Sequence, residues 1–219
     1  QQTLKYIRNW DINTLNRVDH FIANSKFIQE RIQRIYHRES TVIYPPVNID
    51  KFTLHEEKEN FYLTASRLVP YKKTKLIVEA FNKMPDKKLV VIGSGEEYNN
   101  ITKIAQDNIK VLGYQSDEVL ISTMQKAKGF VYAAIEDFGI IPIEAMACGT
   151  PVIALNEGGT KETVISKITG IHFKKQTQES IIDAITEFEQ LDFDYKDIRK
   201  EAIKYTYFEK ELLSFITKN

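Results

Sequence analysis

The 219-residue chain has one cysteine, one tryptophan, six prolines and nine glycines. A lone cysteine, Cys148, cannot close an internal disulfide, so a cross-linked secreted scaffold is excluded. There is no surplus of either charge, since 30 Lys and Arg face 30 Asp and Glu. A diffuse grip on nucleic acid needs excess positive charge, and none is expected here. No apolar run approaches the roughly 20 residues that span a bilayer. The opening QQTLKYIRNWD is too polar for a signal peptide and carries no initiator methionine, so the start reads as cut from a longer chain. What is present is ordinary for a globular domain, 42% apolar and 27% charged residues, enough to bury a core.

From about residue 59 onward, short β-rich runs alternate with helical patterns. FYLTAS (61–66), KLVVIGS (88–94), IKVLGY (109–114), GFVYAA (129–134), PVIALN (151–156) and GIHFK (170–174) read as strands. Between them, TKLIVEAFNK (74–83), EEYNNITKIAQ (96–106), SDEVLISTMQKA (116–127), GIIPIEAMAC (139–148) and TKETVIS (160–166) read as helices, with Ser116 as an N-cap. After Thr177 the pattern is helical. Strands joined by single helices imply parallel pairing through right-handed crossovers, and continuous apolar strands imply burial on both faces. The expected fold class is therefore α/β, a doubly wound, Rossmann-like parallel sheet with C-terminal helices. Such sheets bind ligands beyond the carboxyl ends of their strands. That rule directs attention to Arg67, Gly93-Ser94-Gly95, Gly113-Tyr114 and Glu136-Asp137-Phe138-Gly139.

Residues 1–45 differ. VDHFIANSKFIQERIQRIY holds one strand-like run and one helix, with Asn24 or Ser25 as cap, and Pro45-Pro46 sets an extended path after it. This segment reads as the end of a preceding domain plus a linker. The main domain is expected over 46–205, with 206–219 a terminal helix that packs back on that preceding domain.

The sharpest feature is EDFGIIPIEAMACGTPVIA, residues 136–154. Gly139 permits a tight turn, a helix starts near Ile140, and Pro142 suits its first turn. Free N–H groups at such a start favour an anion or a sugar hydroxyl. Glu144 sits among apolar neighbours on that helix. It is either a solvent-facing residue of an amphipathic helix or a carboxylate kept for a purpose, because uncompensated burial is costly.

Glu136-x7-Glu144 within this stretch resembles the signature of family-4 (group 1) retaining glycosyltransferases of the GT-B fold. DHFIANS (19–25), VIYPPVNIDKF (42–52), SRLVPYKK (66–73), VIGSGEE (91–97) and Gly158-Gly159 resemble that family in order and spacing, over about residues 18 to 215. The resemblance implies that Arg67 and a lysine of the Lys72-Lys73 pair hold the donor diphosphate. The family spacing selects Lys72, while Lys73 stands where the family often has glycine. Two fixed cations would stabilise a leaving group that gains charge. It implies further that Glu136 contacts the donor sugar, that Phe138, Gly139 and Ile140 hold sugar and phosphate through backbone amides, and that Glu144 accepts from the ribose hydroxyls. Gly93 and Gly95 would let the chain approach the donor, Gly113 and Tyr114 would lie by the nucleobase, and Gly158-Gly159 would serve as a structural turn.

The implied reaction is retaining transfer of a hexose, mannose favoured, from a nucleotide sugar to a glycan or lipid-linked glycan, without a cofactor or metal. GDP-mannose is the favoured donor, with UDP-sugars open. The implied setting is cytoplasmic, with the inner membrane face open, and the implied partner is an N-terminal acceptor domain. The alternative is a non-catalytic nucleotide-sugar-binding subunit. Asp192-Phe193-Asp194 lies among helices and does not read as a metal motif. The four histidines lack ligand spacing, and Cys148 reads as a small core residue.

Overall fold

The structure, a computed structural model, describes residues 2–218. The N-terminal segment comprises helix α1 (Gln2–Thr14), strand β1 (Ile22–Ala23), helix α2 (Lys26–Tyr36) and strand β2 (Thr41–Val42). Next come β3 (Glu59–Ala65), α3 (Thr74–Asn82), β4 (Leu89–Ile92), α4 (Tyr98–Ile104), β5 (Ile109–Gly113), α5 (Asp117–Lys126) and β6 (Ala127–Tyr132). The chain continues through α6 (Ile140–Ala147), β7 (Val152–Leu155), α7 (Thr160–Thr163), β8 (Gly170–Phe173), α8 (Gln178–Phe188), α9 (Tyr195–Ile203) and α10 (Phe208–Ile216).

Strands β3 to β8 form one parallel sheet in the order β5-β4-β3-β6-β7-β8, as the alternation of strands and helices requires. Both faces are covered. Phe130, Met124, Ile143, Met146 and Ile198 pack on one, and Val131, Ile77, Phe81, Ile101 and Ile185 on the other. That is why KLVVIG and PVIAL are apolar without alternation. Helix starts follow local chemistry. Ser25 accepts from the N–H of Ile28, which settles the α2 cap in its favour, and Ser116 accepts from Val119.

Expectations shift in several places, and the helix expected over 160–166 ends at Thr163. The strand expected over 129–134 lies at 127–132, so Ala133 and Ala134 leave the sheet and begin the loop. Helix α1 was not expected, because it buries no residue and shows no packed face. Strand β2 was not expected either; it pairs parallel with β1 in a separate two-stranded sheet.

Helix α6 is buried almost all round and is fixed at its C-terminus by two cations. Arg199 donates to the carbonyls of Ala147 and Phe52. Lys58 donates to Gln125 O at 2.7 Å, Cys148 O at 3.1 Å and Thr150 Oγ1 at 2.9 Å. Burial lowers the Lys58 pKa to about 8. Lys58→Met leaves three acceptors without their donor and is expected to lower stability by about 1–3 kcal/mol, read from the midpoint of urea unfolding.

Candidate functional site

The strand order reverses between β3 and β6. The chain steps outward from β3 to β4 and β5, then returns to the other side of β3 for β6, β7 and β8. Loops leaving β3 and β6 diverge there and open a crevice at the carboxyl ends of the strands. A cleft of about 650 Å³ occupies it. Ser66, Tyr71 and Lys72 line it from the β3 side, and Ile135 to Ile141 and Glu144 from the β6 side. Asn24 and Pro45 of the N-terminal segment complete the wall.

At its centre, Lys72 Nζ binds Glu136 Oε1, and the Tyr132 hydroxyl donates to Glu136 Oε2. The pair is largely enclosed, with the Lys72 side chain 13% exposed and Glu136 23%. Lys72 Nζ also lies 3.4 Å from the Tyr132 hydroxyl and 5.3 Å from the centre of the Tyr71 ring. Glycines make the surroundings dense. At Gly93, φ is +142° and an added Cβ would fall 1.8 Å from Ser66 O, so only glycine lets these two strand ends meet. The turn after β7 presses on the Glu136 loop: Gly159 N–H donates to Glu136 O at 2.8 Å, and a Cβ on Gly158 would lie 2.5 Å from that oxygen. The turn role expected of this glycine pair is thus visible as support for the loop.

Glu144 projects from the second turn of α6, and among the described residues no donor bonds to its carboxylate. Burial raises its pKa to about 6, with a smaller push from the charge of Asp117. The helix start itself has no side-chain cap, and Gly139 before it is left-handed with φ +86°.

Of the residues singled out from sequence, Lys72, Glu136, Phe138, Gly139, Ile140 and Glu144 line one cleft. Arg67 follows the lining residue Ser66, is exposed, and has no ion-pair partner among the described residues. Gly93 and Gly113 sit side by side at the ends of β4 and β5, joined by Gly93 N–H to Gly113 O at 2.8 Å. Gly95 packs on Leu68, and Tyr114, just after β5, is 78% exposed and does not line the cleft. Lys73 does not line the cleft; it sits at the start of α3 with φ +59°, a conformation glycine adopts without penalty. Asp194, from the discounted acidic pair, caps α9 by accepting from Lys196 and Asp197. Cys148 is buried, and His172 bonds Thr160 O.

Sequence reasoning missed Tyr132, Tyr71, Asn24 and Pro45. For Tyr132 the signal existed, because it is a polar-tipped residue at the carboxyl end of an apolar strand, four before Glu136. Asn24 and Pro45 lie inside DHFIANS and VIYPPVNIDKF, so a signal existed for them too, but their segment was assigned to a preceding domain and linker and neither was placed at the site.

A family model described as "Glycosyl transferases group 1" matches residues 47–206. An uncharacterised glycosyltransferase of Methanocaldococcus jannaschii is 31% identical over 175 residues, 77% of this chain and 49% of that protein. A GDP-mannose-dependent monoacylated alpha-(1-6)-phosphatidylinositol monomannoside mannosyltransferase of Corynebacterium glutamicum is 36% identical over 114 residues, 45% of this chain and 30% of that protein. The chain thus spans about half, or less, of these curated relatives. The crystal structure of Anabaena Alr3699/HepE in complex with UDP and glucose superposes with a TM-score of 0.76 at 20% identity, covering 97% of this chain and 67% of that one. At that identity the likeness speaks for the fold.

The raised pKa of Glu144 carries a sign. Its folded value of about 6 exceeds the ordinary 4.5, so the folded state holds the proton more tightly. The cost of ionising it is absent below the lower value and complete above the upper one. Glu144→Gln is therefore expected to stabilise the free protein by up to about 2 kcal/mol near neutral pH and to be neutral below about pH 4, as read by urea unfolding across pH.

Proposed function

This chain belongs to the group 1 glycosyl transferases, and from that premise we propose that it is the donor-binding half of an enzyme that transfers a hexose from a nucleotide sugar with retention of configuration. The observation that carries this reading is the convergence of Lys72, Glu136, the uncapped start of α6 and Glu144 at the switch point of the sheet. These groups suit the parts of one ligand. Arg67 and Lys72 offer positive charge to a diphosphate, and the amides at Phe138, Gly139 and Ile140 face the same anion. Glu136 reaches the sugar. Glu144, without a donor of its own, suits a pair of ribose hydroxyls. Gly113 and Tyr114 border the base.

In this reading the bond between the anomeric carbon and the diphosphate oxygen breaks while an acceptor hydroxyl attacks from the same face. The proton of that hydroxyl passes to a diphosphate oxygen, so no protein nucleophile is needed. The cations stabilise charge as it develops on the leaving group, and the reading calls for no metal ion. GDP-mannose is the favoured donor, supported by the GDP-mannose dependence in the name of the Corynebacterium relative; the UDP and glucose of the Anabaena complex keep a UDP-sugar in view. The acceptor is a glycan or a lipid-linked glycan, presented by an N-terminal domain. No helix among the described residues is long and apolar enough to cross a membrane.

A thermal-shift panel of nucleoside diphosphates and nucleotide sugars tests this. A bound donor stabilises the fold by ~2.7 kcal/mol at one hundred times its dissociation constant. Arg67→Ala and Glu144→Ala are each expected to remove most of that shift. A shift unchanged in both variants would place the ligand elsewhere.

A further inference from the structure

We propose that Tyr132 is a positioning residue for the transfer, its phenol holding Glu136 in place when Lys72 leaves that carboxylate for the donor diphosphate. The inference rests on the donor-site reading above and adds a residue to it. In the free protein each oxygen of Glu136 has one donor, Lys72 on Oε1 and Tyr132 on Oε2, and among the described residues no other group donates to it. Lys72 has one ammonium for two anions. A diphosphate brings more negative charge than a single carboxylate, so its arrival draws the lysine over. Glu136 then keeps one partner, and the orientation of its carboxylate toward the sugar depends on that partner.

Tyr132 can serve because it is built into the sheet. It is the last residue of β6, paired with Ala154 of β7, and it is 2% exposed. Its ring stacks on Phe130 at a centroid distance of 6.2 Å. Its hydroxyl also remains a donor, because burial, followed by the charge of Glu136, raises the phenol pKa well above its ordinary value. Lys72 is the member of the triangle on a flexible, unbranched stem, its ammonium 5.3 Å and 5.8 Å from the ring centres of Tyr71 and Tyr132.

Calorimetric titration with GDP and GDP-mannose, and in parallel with UDP and UDP-glucose, tests the proposal in whichever pair the unaltered protein binds. Tyr132→Phe keeps the buried ring. It is expected to leave diphosphate affinity within about threefold while the affinity of the nucleotide sugar relative to the diphosphate falls about tenfold, the scale of one hydrogen bond to a charged group. Glu136→Gln releases Lys72 and is expected to bind the diphosphate at least about threefold more tightly, because the lysine no longer has to leave a carboxylate. Equal losses for diphosphate and sugar in Tyr132→Phe mean a merely structural tyrosine and overturn the proposal. So does unchanged diphosphate affinity in Glu136→Gln, which applies even if Tyr132→Phe does not fold. In both cases the donor site itself stands. An unaltered protein that binds none of the four ligands overturns the donor-site reading and this proposal with it.

Discussion

Helix α6 is the constraint from which the site follows. It is apolar on nearly every side, and apart from Ile140, Ile141 and Glu144 at the cleft its residues are buried between the sheet and α9. Arg199 and Lys58 take up the carbonyls around its C-terminal end. Cations there complement the helix dipole, and the partial positive charge at the other end is left without a side-chain cap. That end opens into the cleft. A helix that could tilt or slide would present its amides at no fixed point. One wedged this tightly holds both its N–H groups and Glu144 in register with the loop from β6.

The two carboxylates of the cleft stand in opposite conditions. Glu136 is satisfied in the free protein, with a cation on one oxygen and a phenol on the other. Glu144 is not, and its raised pKa expresses the cost of keeping a charge there without a partner. A protein optimised for stability alone would replace a carboxylate held in such a place. Spacing alone could not separate this from a solvated face of an amphipathic helix. Burial separates them: Glu144 is half-buried on the cleft side of a helix whose other sides are packed into the core.

Much of the frame was legible because local and global signals agree. Every strand of the main sheet shows up as a short apolar run, and α3 carries a clear apolar stripe, while α6 is legible from Gly139 and Pro142 at its start and from its apolar run, not from a stripe. The errors fall where the signal weakens. Helix α1 leaves Leu4, Tyr6, Ile7 and Trp10 at least half exposed, so its apolar residues mark no buried stripe. The β6 boundary slipped by two residues because Ala133 and Ala134 are buried like the strand before them, and burial without alternation gives no edge. Lys72 and Lys73 are equivalent by composition. The short 3-10 turn over Pro70–Lys72 and the left-handed backbone at Lys73 send one side chain into the cleft and leave the other off its lining, and neither feature is written in the residue types.

The N-terminal segment shows why a site cannot be reduced to its motifs. Glu162, at the short helix α7, accepts from the backbone N–H of Lys26 at 2.9 Å and from the Tyr44 hydroxyl at 2.9 Å. That carboxylate fastens the start of α2 and the approach to Pro45, and so sets Asn24 and Pro45 against the cleft. Helix α7 follows the Gly158-Gly159 turn, whose amide holds the carbonyl of Glu136. One continuous run of contacts therefore connects α2, Glu162, the glycine turn and the Glu136 rim of the cleft. Glu162 does not itself line the cleft, yet it is bonded to the segments that carry Asn24 and Pro45 and sits on the helix that follows the glycine turn.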